Sequence, residues 1–338
     1  MTAPLVAAPP SWHGPALAED AAAVVALIDA VAQDRGTVLS DDVALVHELR
    51  AVIAELGVWT LGVPEAFGGG GADRATRIAA LERLGRYWPA LAWASTQAHA
   101  VASVLGPAGG ADSLLEDLHG GAAGVAVVDT SARHVHLDVG DVRVCGTVDR
   151  IDAADERPHL VVLHEDRVWL LTPDSLETER IGTTGLDGAS TSSVGVDGTP
   201  TPLGVGADQV RHVLLEGAAA IAAGIGGAAA DGAATYAGER HQFGGPLLDL
   251  ASVRASVEAQ RDRVRVDLAA LLGADTPAAA AAVAGAATGH AVETAAAALQ
   301  VHGGYGYLTE YAPERHLRDA VSLRAVTSDL RPTSQESR

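Results

Sequence analysis

The sequence contains no lysine and only one cysteine, and each shortage excludes certain functions. All 23 basic residues are arginines, against 43 acidic residues, so the formal net charge is −20. A protein that binds nucleic acid needs a basic face to contact phosphates, so this balance argues against that class. A local group of arginines could still bind a phosphorylated small molecule, because a guanidinium contacts phosphate through paired hydrogen bonds.

Cys145 is the only cysteine, which excludes a disulfide framework or a cysteine-based zinc cluster within one chain. We therefore predict no metal site, and the composition fits a reducing cytoplasm. The stretch MTAPLVAAPPSWHGPALAED has no basic segment and is broken by prolines, so a signal peptide is not predicted. The longest weakly polar run, Ala218 to Ala230, is too short to cross a bilayer, so no membrane association is expected.

The hydrophobic pattern divides the chain into three segments, of which the first is residues 1–120. Apolar residues such as Val24, Leu27 and Val31 recur there at spacings of three and four, which predicts amphipathic helices. Gly57 is placed to end the second helix. The stretch VPEAFGGGG that follows breaks the pattern and is interpreted as a connection between helices.

The second segment, residues 121–206, is predicted to be a small antiparallel β domain. Short β-rich runs are separated by turn residues, namely GVAVVDT, HVHLDV, VRVCG, HLVVLHEDRVWLLT and SSVGV. The letters HEDR, from His164 to Arg167, fit a hairpin turn between two of these strands.

The third segment, residues 207–338, returns to a helical pattern. A long apolar run leads to Tyr236, a second helix is predicted from about Leu250, and an alanine-rich helix is predicted from about Pro277 to Gln300. The order of helices, β domain and four-helix-bundle-like domain predicts an α+β fold.

Four motifs in the helical segments carry a resemblance to a known family. They are ELGVWTLGVPEAFGGGG with LERLGR downstream, GERHQFGGPL, QVHGGYGY and EYAPERHLRDA. Taken together, in this order and at this approximate spacing, they resemble the acyl-CoA dehydrogenase family over most of the chain. An acyl-CoA dehydrogenase-like fold is therefore expected.

The resemblance implies a reaction, a cofactor and an assembly. Members of the family use a glutamate carboxylate to remove the α-proton of an acyl-CoA thioester, while the β-hydrogen leaves as hydride to the flavin of FAD. The resemblance also implies a dimer of dimers in which each FAD lies against two subunits. An electron-transfer flavoprotein is a candidate electron acceptor.

The motifs GERHQFGGPL and QVHGGYGY predict a cofactor-binding site. Arg240 is expected at the end of a helix, where a cation also complements the helix dipole. Gly303 and Gly304 lack Cβ atoms, so backbone N–H groups can approach a phosphate, although a plain turn between helices is the alternative. The residues that match family positions facing the FAD held mainly by the neighbouring subunit are Arg240, Gln242, Phe243, Gln300, Gly303 and Gly304.

The catalytic base of the family is missing from its usual position. Gapless alignment from Asp319 places Thr327 where most members carry the glutamate, and a threonine hydroxyl has no accessible basic form near neutral pH. Some relatives carry the glutamate on the long helix that opens the third segment, where Glu216 is the nearby candidate. Glu216 falls one residue early, which turns a helical side chain by about 100°. A solvated or capping role is therefore favoured over that of a base.

The β domain departs from the family as well. Members usually line the flavin ring of the same subunit with a Thr-Glu-Pro segment and a Trp-Ile-Thr or Trp-Ile-Ser segment. Here the first position has the sequence VVDTSAR, while Arg150 and Asp152 replace the tryptophan and the hydroxyl residue. An aspartate beside reduced flavin would disfavour the anionic form by like-charge repulsion. We therefore predict that the chain has lost its own flavin cradle.

Three hypotheses follow from this pattern. The first is a subunit of a heteromeric, α2β2 acyl-CoA dehydrogenase, whose partner subunit supplies the glutamate and the flavin-ring contacts. Such forms occur in the family among bacterial enzymes that act on bulky acyl-CoA substrates. The second is a self-sufficient FAD-dependent acyl-CoA dehydrogenase that uses Glu216 or another base, and the third is a non-catalytic scaffold protein on the same fold.

Overall fold

The computed structural model describes residues 11–109 and 111–330 of the chain. Predictions for residues 1–10 and 331–338, at the two ends of the sequence, lie outside the described residues. The described part begins with helices, continues with two β-sheets and closes with a helical bundle. This order confirms the predicted α+β fold class.

The first part of the fold is helical, as the apolar spacing predicts. Its helices are α1 Glu19–Arg35, α2 Val43–Glu55, α3 Arg74–Tyr87, α4 Pro89–Ala108 and α5 Asp112–His119. The carboxylates of Asp42 and Asp73 accept hydrogen bonds from backbone N–H groups in the first turns of α2 and α3. Gly57 follows the end of α2 with a φ of +72°, which confirms its predicted place.

The middle part contains two four-stranded sheets. Its strands are β1 Val125–Asp129, β2 Val135–Val139, β3 Val144–Ile151, β4 His159–His164, β5 Arg167–Leu171, β6 Leu176–Arg180, β7 Ser192–Gly198 and β8 Thr201–Val205. The orders are β1-β4-β5-β8 and β2-β3-β7-β6, and the strands pair antiparallel except for β1 and β4, which are parallel. The predicted turn joins β4 to β5, where His164 pairs with Arg167.

Strand β4 is buried on both faces of its sheet. Leu160 and Val162 pack in the core between the two sheets, while Val161 and Leu163 join the large core shared with the helices. Because successive side chains of a strand point to opposite faces, a continuous apolar run is what a strand in this position requires. The β domain is therefore packed onto the helices through one of its sheets.

The closing part is organised around one long helix. Its elements are α6 Ala207–Glu239, β9 His241–Gln242, β10 Gly245–Pro246, α7 Ala251–Leu272, α8 Pro277–His302 and α9 Pro313–Thr327. α6 contacts α3, α4, α7, α8 and α9. By length and composition α6 could cross a membrane, but 94% of its most apolar window is buried inside the fold.

Glycines let α6 approach α3 at backbone distance. A Cβ built on Gly85 of α3 would lie 2.8 Å from the Ile221 Cα, and one built on Gly224 would overlap the Glu82 carbonyl oxygen. Gly232, on the same helix, would meet nothing within 4 Å. The glycines of α6 therefore differ in role: Gly224 is required by packing, and Gly232 is not.

This difference predicts opposite effects for the same substitution. Gly224→Ala should lower the free energy of unfolding by about 1–3 kcal/mol, because the added methyl must separate two packed helices. The matched control Gly232→Ala should raise it by roughly 0.5–1 kcal/mol, because alanine is the better helix former. Urea unfolding of both variants measures the two values, and a Gly224→Ala protein as stable as the parent would contradict this account of the α3–α6 contact.

Candidate functional site

A cavity of about 580 Å³ opens where α6 and α8 end and α7 begins. It brings together all six residues of the predicted cofactor site, namely Arg240, Gln242, Phe243, Gln300, Gly303 and Gly304. None of the described residues that line this cavity is acidic, although the chain as a whole carries a net charge of −20. The lining of the cavity therefore has no negative side-chain charge, in contrast to the acidic chain as a whole.

The short hairpin of β9 and β10 forms one wall of the cavity. Gln242 pairs with Gly245, and the two residues between them have positive φ angles, 53° for Phe243 and 91° for Gly244. Such a two-residue turn suits a tight hairpin, but a positive φ is unusual for a bulky residue. The side chain of Phe243 is held at the tip, where 86% of the residue is exposed. An apolar side chain presented in this way is suited to contact a ligand or another subunit.

The glycine turn after α8 forms the opposite wall. Gly303 has a φ of +59°, and a Cβ built on Gly303 or Gly304 would meet nothing within 4 Å. Gly306 differs, because a Cβ there would lie 2.9 Å from the Leu299 carbonyl oxygen. Gly306 is therefore explained by packing within the chain, whereas Gly303 and Gly304 leave open space beside the cavity.

Arg240 carries the positive charge of the cavity. Most arginines in the described part of the chain pair with a carboxylate, as Arg150 and Arg211 do. Arg240 has no carboxylate partner among the described residues, and its guanidinium lies 5.3 Å from the centre of the Tyr305 ring. A cation without a carboxylate, beside open glycines, is suited to bind an anion such as a phosphate.

His302 lines the first cavity and is held by contacts within the chain. Its Nδ1 is 2.8 Å from the Ala298 carbonyl oxygen, and its ring stacks on Tyr236 with 4.2 Å between the ring centres. Burial lowers the pKa of His302 below its ordinary value, so the neutral ring is favoured. His302 is therefore a buried, hydrogen-bonded residue that supports the wall of the cavity.

Thr327 does not provide a base. It lies at the end of α9, is buried, and its hydroxyl donates to the Leu323 carbonyl oxygen at 2.8 Å. A hydroxyl that bonds back to its own helix is committed as a donor. The structure therefore gives Thr327 a local structural role at the position where the resemblance would place the glutamate.

Glu216 is buried within the length of α6. The prediction that it has a solvated or capping role was therefore wrong. Only 1% of the residue is exposed, and its two carboxylate oxygens are paired separately with Arg74 and Arg77. His212, one turn earlier on α6, lies 3.5 Å away. Arg74 also donates to backbone carbonyls at the end of α7. The ion pairs of Glu216 join α6 to α3, and Arg74 extends the link to α7 through its backbone hydrogen bonds. A carboxylate held in this way is not free to accept a substrate proton.

The two segments that replace the flavin-ring contacts are occupied by internal hydrogen bonds. The carboxylate of Asp152 is paired with Arg150 at 2.7 and 3.1 Å and accepts from the Thr191 hydroxyl at 2.5 Å. The hydroxyl of Thr130 lies 2.9 Å from His164 Nδ1, and Ser131 donates to Asp129. Asp152 is therefore a neutralised member of an ion pair, which corrects the expectation of an uncompensated negative charge at this position.

A second cavity, of about 380 Å³, lies beside this ion pair. Trp93, Arg150, Asp152 and residues at the end of α9 line it. Four of its charged side chains are paired within the chain: Arg150 with Asp152, and Arg133 with Asp329. Residues 11–109 and 111–330 contain no group of three or more His, Cys, Asp or Glu side chains arranged to hold a metal ion.

The two cavities fit FAD differently. The first offers an arginine without a carboxylate, two glycines that face open space and an amide side chain at Gln300, which together suit a pyrophosphate. At the second, Arg150 and Asp152 are paired with each other, and Arg133 is paired with Asp329. The described residues therefore fit a diphosphate at the first cavity, whereas ion pairs within the chain engage four charged side chains of the second.

Solved structures share this fold. Butyryl-CoA dehydrogenase from Megasphaera elsdenii aligns with a TM-score of 0.75 at 18% identity, over 95% of this chain and 99% of that chain. A glutaryl-CoA dehydrogenase from Mycobacterium smegmatis in complex with FADH2 aligns with a TM-score of 0.79 at 15% identity, over 94% and 92% of the two chains. A chain of a steroid ACAD named Tcur3481-Tcur3483 aligns with a TM-score of 0.76 at 23% identity, over 92% and 96%.

Family models establish the relationship that the shared fold indicates. The acyl-CoA dehydrogenase N-terminal domain matches residues 21–111, and the acyl-CoA dehydrogenase C-terminal domain matches residues 204–327. Together these two matches cover more than half of the chain, which belongs to the acyl-CoA dehydrogenase family. A search of curated proteins finds no match to the sequence.

The pairing of Glu216 predicts a loss of stability when its charge is removed. Glu216→Gln should lower the free energy of unfolding by about 3 kcal/mol or more, because two largely buried arginines lose their carboxylate. Glu239→Gln, at the exposed end of the same helix, is the matched control and should stay within about 0.5 kcal/mol of the parent. Urea unfolding of both variants is the measurement, and an unchanged Glu216→Gln protein would contradict a structural role.

Proposed function

We propose that this chain is the subunit without a catalytic glutamate in a heteromeric, α2β2 acyl-CoA dehydrogenase. The partner subunit supplies the base and the flavin-ring contacts, and this chain completes the binding of the partner's FAD. The substrate is an acyl-CoA thioester, dehydrogenated between its α and β carbons.

One observation carries the proposal, namely the asymmetry between the two cavities. The residues expected to face a neighbour's FAD converge on one open cavity with an arginine that has no carboxylate partner among the described residues. The residues expected to contact the chain's own flavin or to act as base are engaged within the fold. Random mutation of a gene without function would alter both sets of residues without preference. The asymmetry therefore favours a protein in which the residues that face a neighbour's FAD have been retained.

Each residue of the first cavity has a distinct task in this proposal. Arg240 binds the anionic diphosphate, and the backbone at Gly303 and Gly304 approaches it closely. Gln300 and Gln242 offer amide donors and acceptors, and Phe243 provides an apolar contact. When bound, FAD supplies the acceptor for the substrate hydride.

The contacts of Glu216 argue against the alternative, a self-sufficient enzyme that uses this residue as its base. As base it would have to leave two arginines that hold it in the buried junction of α3, α6 and α7. The position where most family members carry the glutamate holds Thr327, which has no carboxylate. These contacts favour a subunit that depends on a partner over one that dehydrogenates acyl-CoA alone.

The similar structures suggest the chemistry of the complex. One is bound to FADH2, and another is named as a steroid ACAD with two component designations. We extend these properties to this chain as parts of the proposal: FAD as cofactor and a bulky acyl-CoA as substrate. The cytoplasmic location and an electron-transfer flavoprotein as acceptor stay predictions.

Removal of Arg240 tests the half-site. Arg240→Ala in the complex with the copurifying partner should weaken FAD binding roughly 10- to 100-fold, because a hydrogen-bonded cation opposite a phosphate is lost. Arg265→Ala is the matched control, since Arg265 is an exposed arginine of the same bundle paired with Asp262. FAD affinity is measured by flavin fluorescence, with circular dichroism to confirm folding, and equal affinity of the Arg240→Ala and parental complexes would refute the proposed site.

A further inference from the structure

Tyrosine is concentrated at the end of the bundle that carries the first cavity. Aromatic residues make up 4% of the chain, and four of its five tyrosines are Tyr236, Tyr305, Tyr307 and Tyr311. Three of these four, together with His302, form a group of rings in mutual contact. In an alanine-rich bundle, such a group of aromatic rings gives this end a rigid surface of defined shape.

The rings support one another from the core outward. Tyr236 stacks on His302 with 4.2 Å between ring centres, and Tyr311 meets both of these rings edge-on at 6.0 Å. Tyr305 lies 5.7 Å from Tyr311 and forms the outermost ring of the group. Because His302 is also hydrogen-bonded to the Ala298 carbonyl, the support behind Tyr305 is fixed to α8.

The backbone of Arg240 is also fixed, but its long side chain needs a separate restraint. The Arg240 N–H donates to the Tyr236 carbonyl, and the Arg240 carbonyl accepts from the Leu247 N–H, both at 2.8 Å. With no carboxylate partner among the described residues, the guanidinium has the Tyr305 ring face, 5.3 Å away, as its contact. A cation over an aromatic face is attracted by the ring's quadrupole, which limits the rotamers that an arginine otherwise samples.

We infer that Tyr305 is a positioning residue that holds the Arg240 guanidinium in place for the anion bound in this cavity. This inference rests on the proposed function for the identity of that anion as the FAD diphosphate. The ring face performs the task, and the hydroxyl is dispensable, since no residue of the described chain is hydrogen-bonded to it. Pre-organisation of this kind raises affinity by reducing the entropy lost on binding.

Variants of Tyr305 separate the ring from the hydroxyl. Tyr305→Leu in the partner complex should weaken FAD binding about 3- to 10-fold, the range that a partly exposed cation–π contact contributes. Tyr305→Phe keeps the ring and should bind within about twofold of the parent. Tyr307→Leu is the matched control, because Tyr307 lies in the same turn, is 72% exposed and does not line the cavity. In an Arg240→Ala background, Tyr305→Leu should have no further effect.

A second readout needs neither partner nor FAD. In the ¹⁵N spectrum of the isolated chain, the arginine Nε–H signal that disappears in Arg240→Ala identifies this residue. The Tyr305 ring current should shift that signal, the shift should persist in Tyr305→Phe, and it should be lost in Tyr305→Leu.

The outcomes distinguish the inference from the proposed function. The positioning role is overturned if Arg240→Ala weakens FAD binding and Tyr305→Leu does not. It is also overturned if Tyr305→Leu weakens FAD binding by the same factor in the Arg240→Ala protein as in the parent. If Arg240→Ala leaves FAD binding unchanged, the half-site fails, and the ¹⁵N shift then decides the positioning role alone. A Nε–H signal that is the same in the parent and in Tyr305→Leu overturns the inference whatever FAD does.

Discussion

The close packing of α6 against its neighbours is the constraint on which the rest of the structure depends. Alanine and glycine bring the backbones of α6 and α3 together at Gly85 and Gly224. Because small side chains bury little apolar area individually, the helix gains stability through its length and through contacts with α3, α4, α7, α8 and α9. One helix thus fixes the relative positions of the first and last parts of the chain.

The start and the end of α6 have different roles. Near its start, Glu216 is buried in ion pairs that join α6 to α3, and Arg74 links this pair to the end of α7 by hydrogen bonds. At its end, Arg240 leaves the helix with no carboxylate partner in the described part of the chain and lines an open cavity. The same helix therefore carries a carboxylate that is held in ion pairs and ends at a cation that is available to a ligand.

The sequence predicted the order of the helical and β parts and six of the residues that line the first cavity. Apolar spacing predicted the helices, and the six cofactor residues, about 60 positions apart in two motifs, meet because α6 and α8 end side by side. The edge strands β6 and β8 were missed, because LETER and TPLGV have mostly exposed side chains and no clear apolar alternation. The arginine partners of Glu216 and the Thr191 partner of Asp152 were not predicted, since they come from distant positions through tertiary packing.

The count of FAD molecules per chain tests the central claim most directly. Native mass spectrometry and flavin absorbance would be applied to the purified homogeneous chain and to its complex with the copurifying family member. The account predicts a colourless isolated chain and a complex with one FAD for each pair of unlike chains, reduced on addition of its acyl-CoA substrate. Stoichiometric FAD in the isolated chain, reduced there by an acyl-CoA, would contradict it.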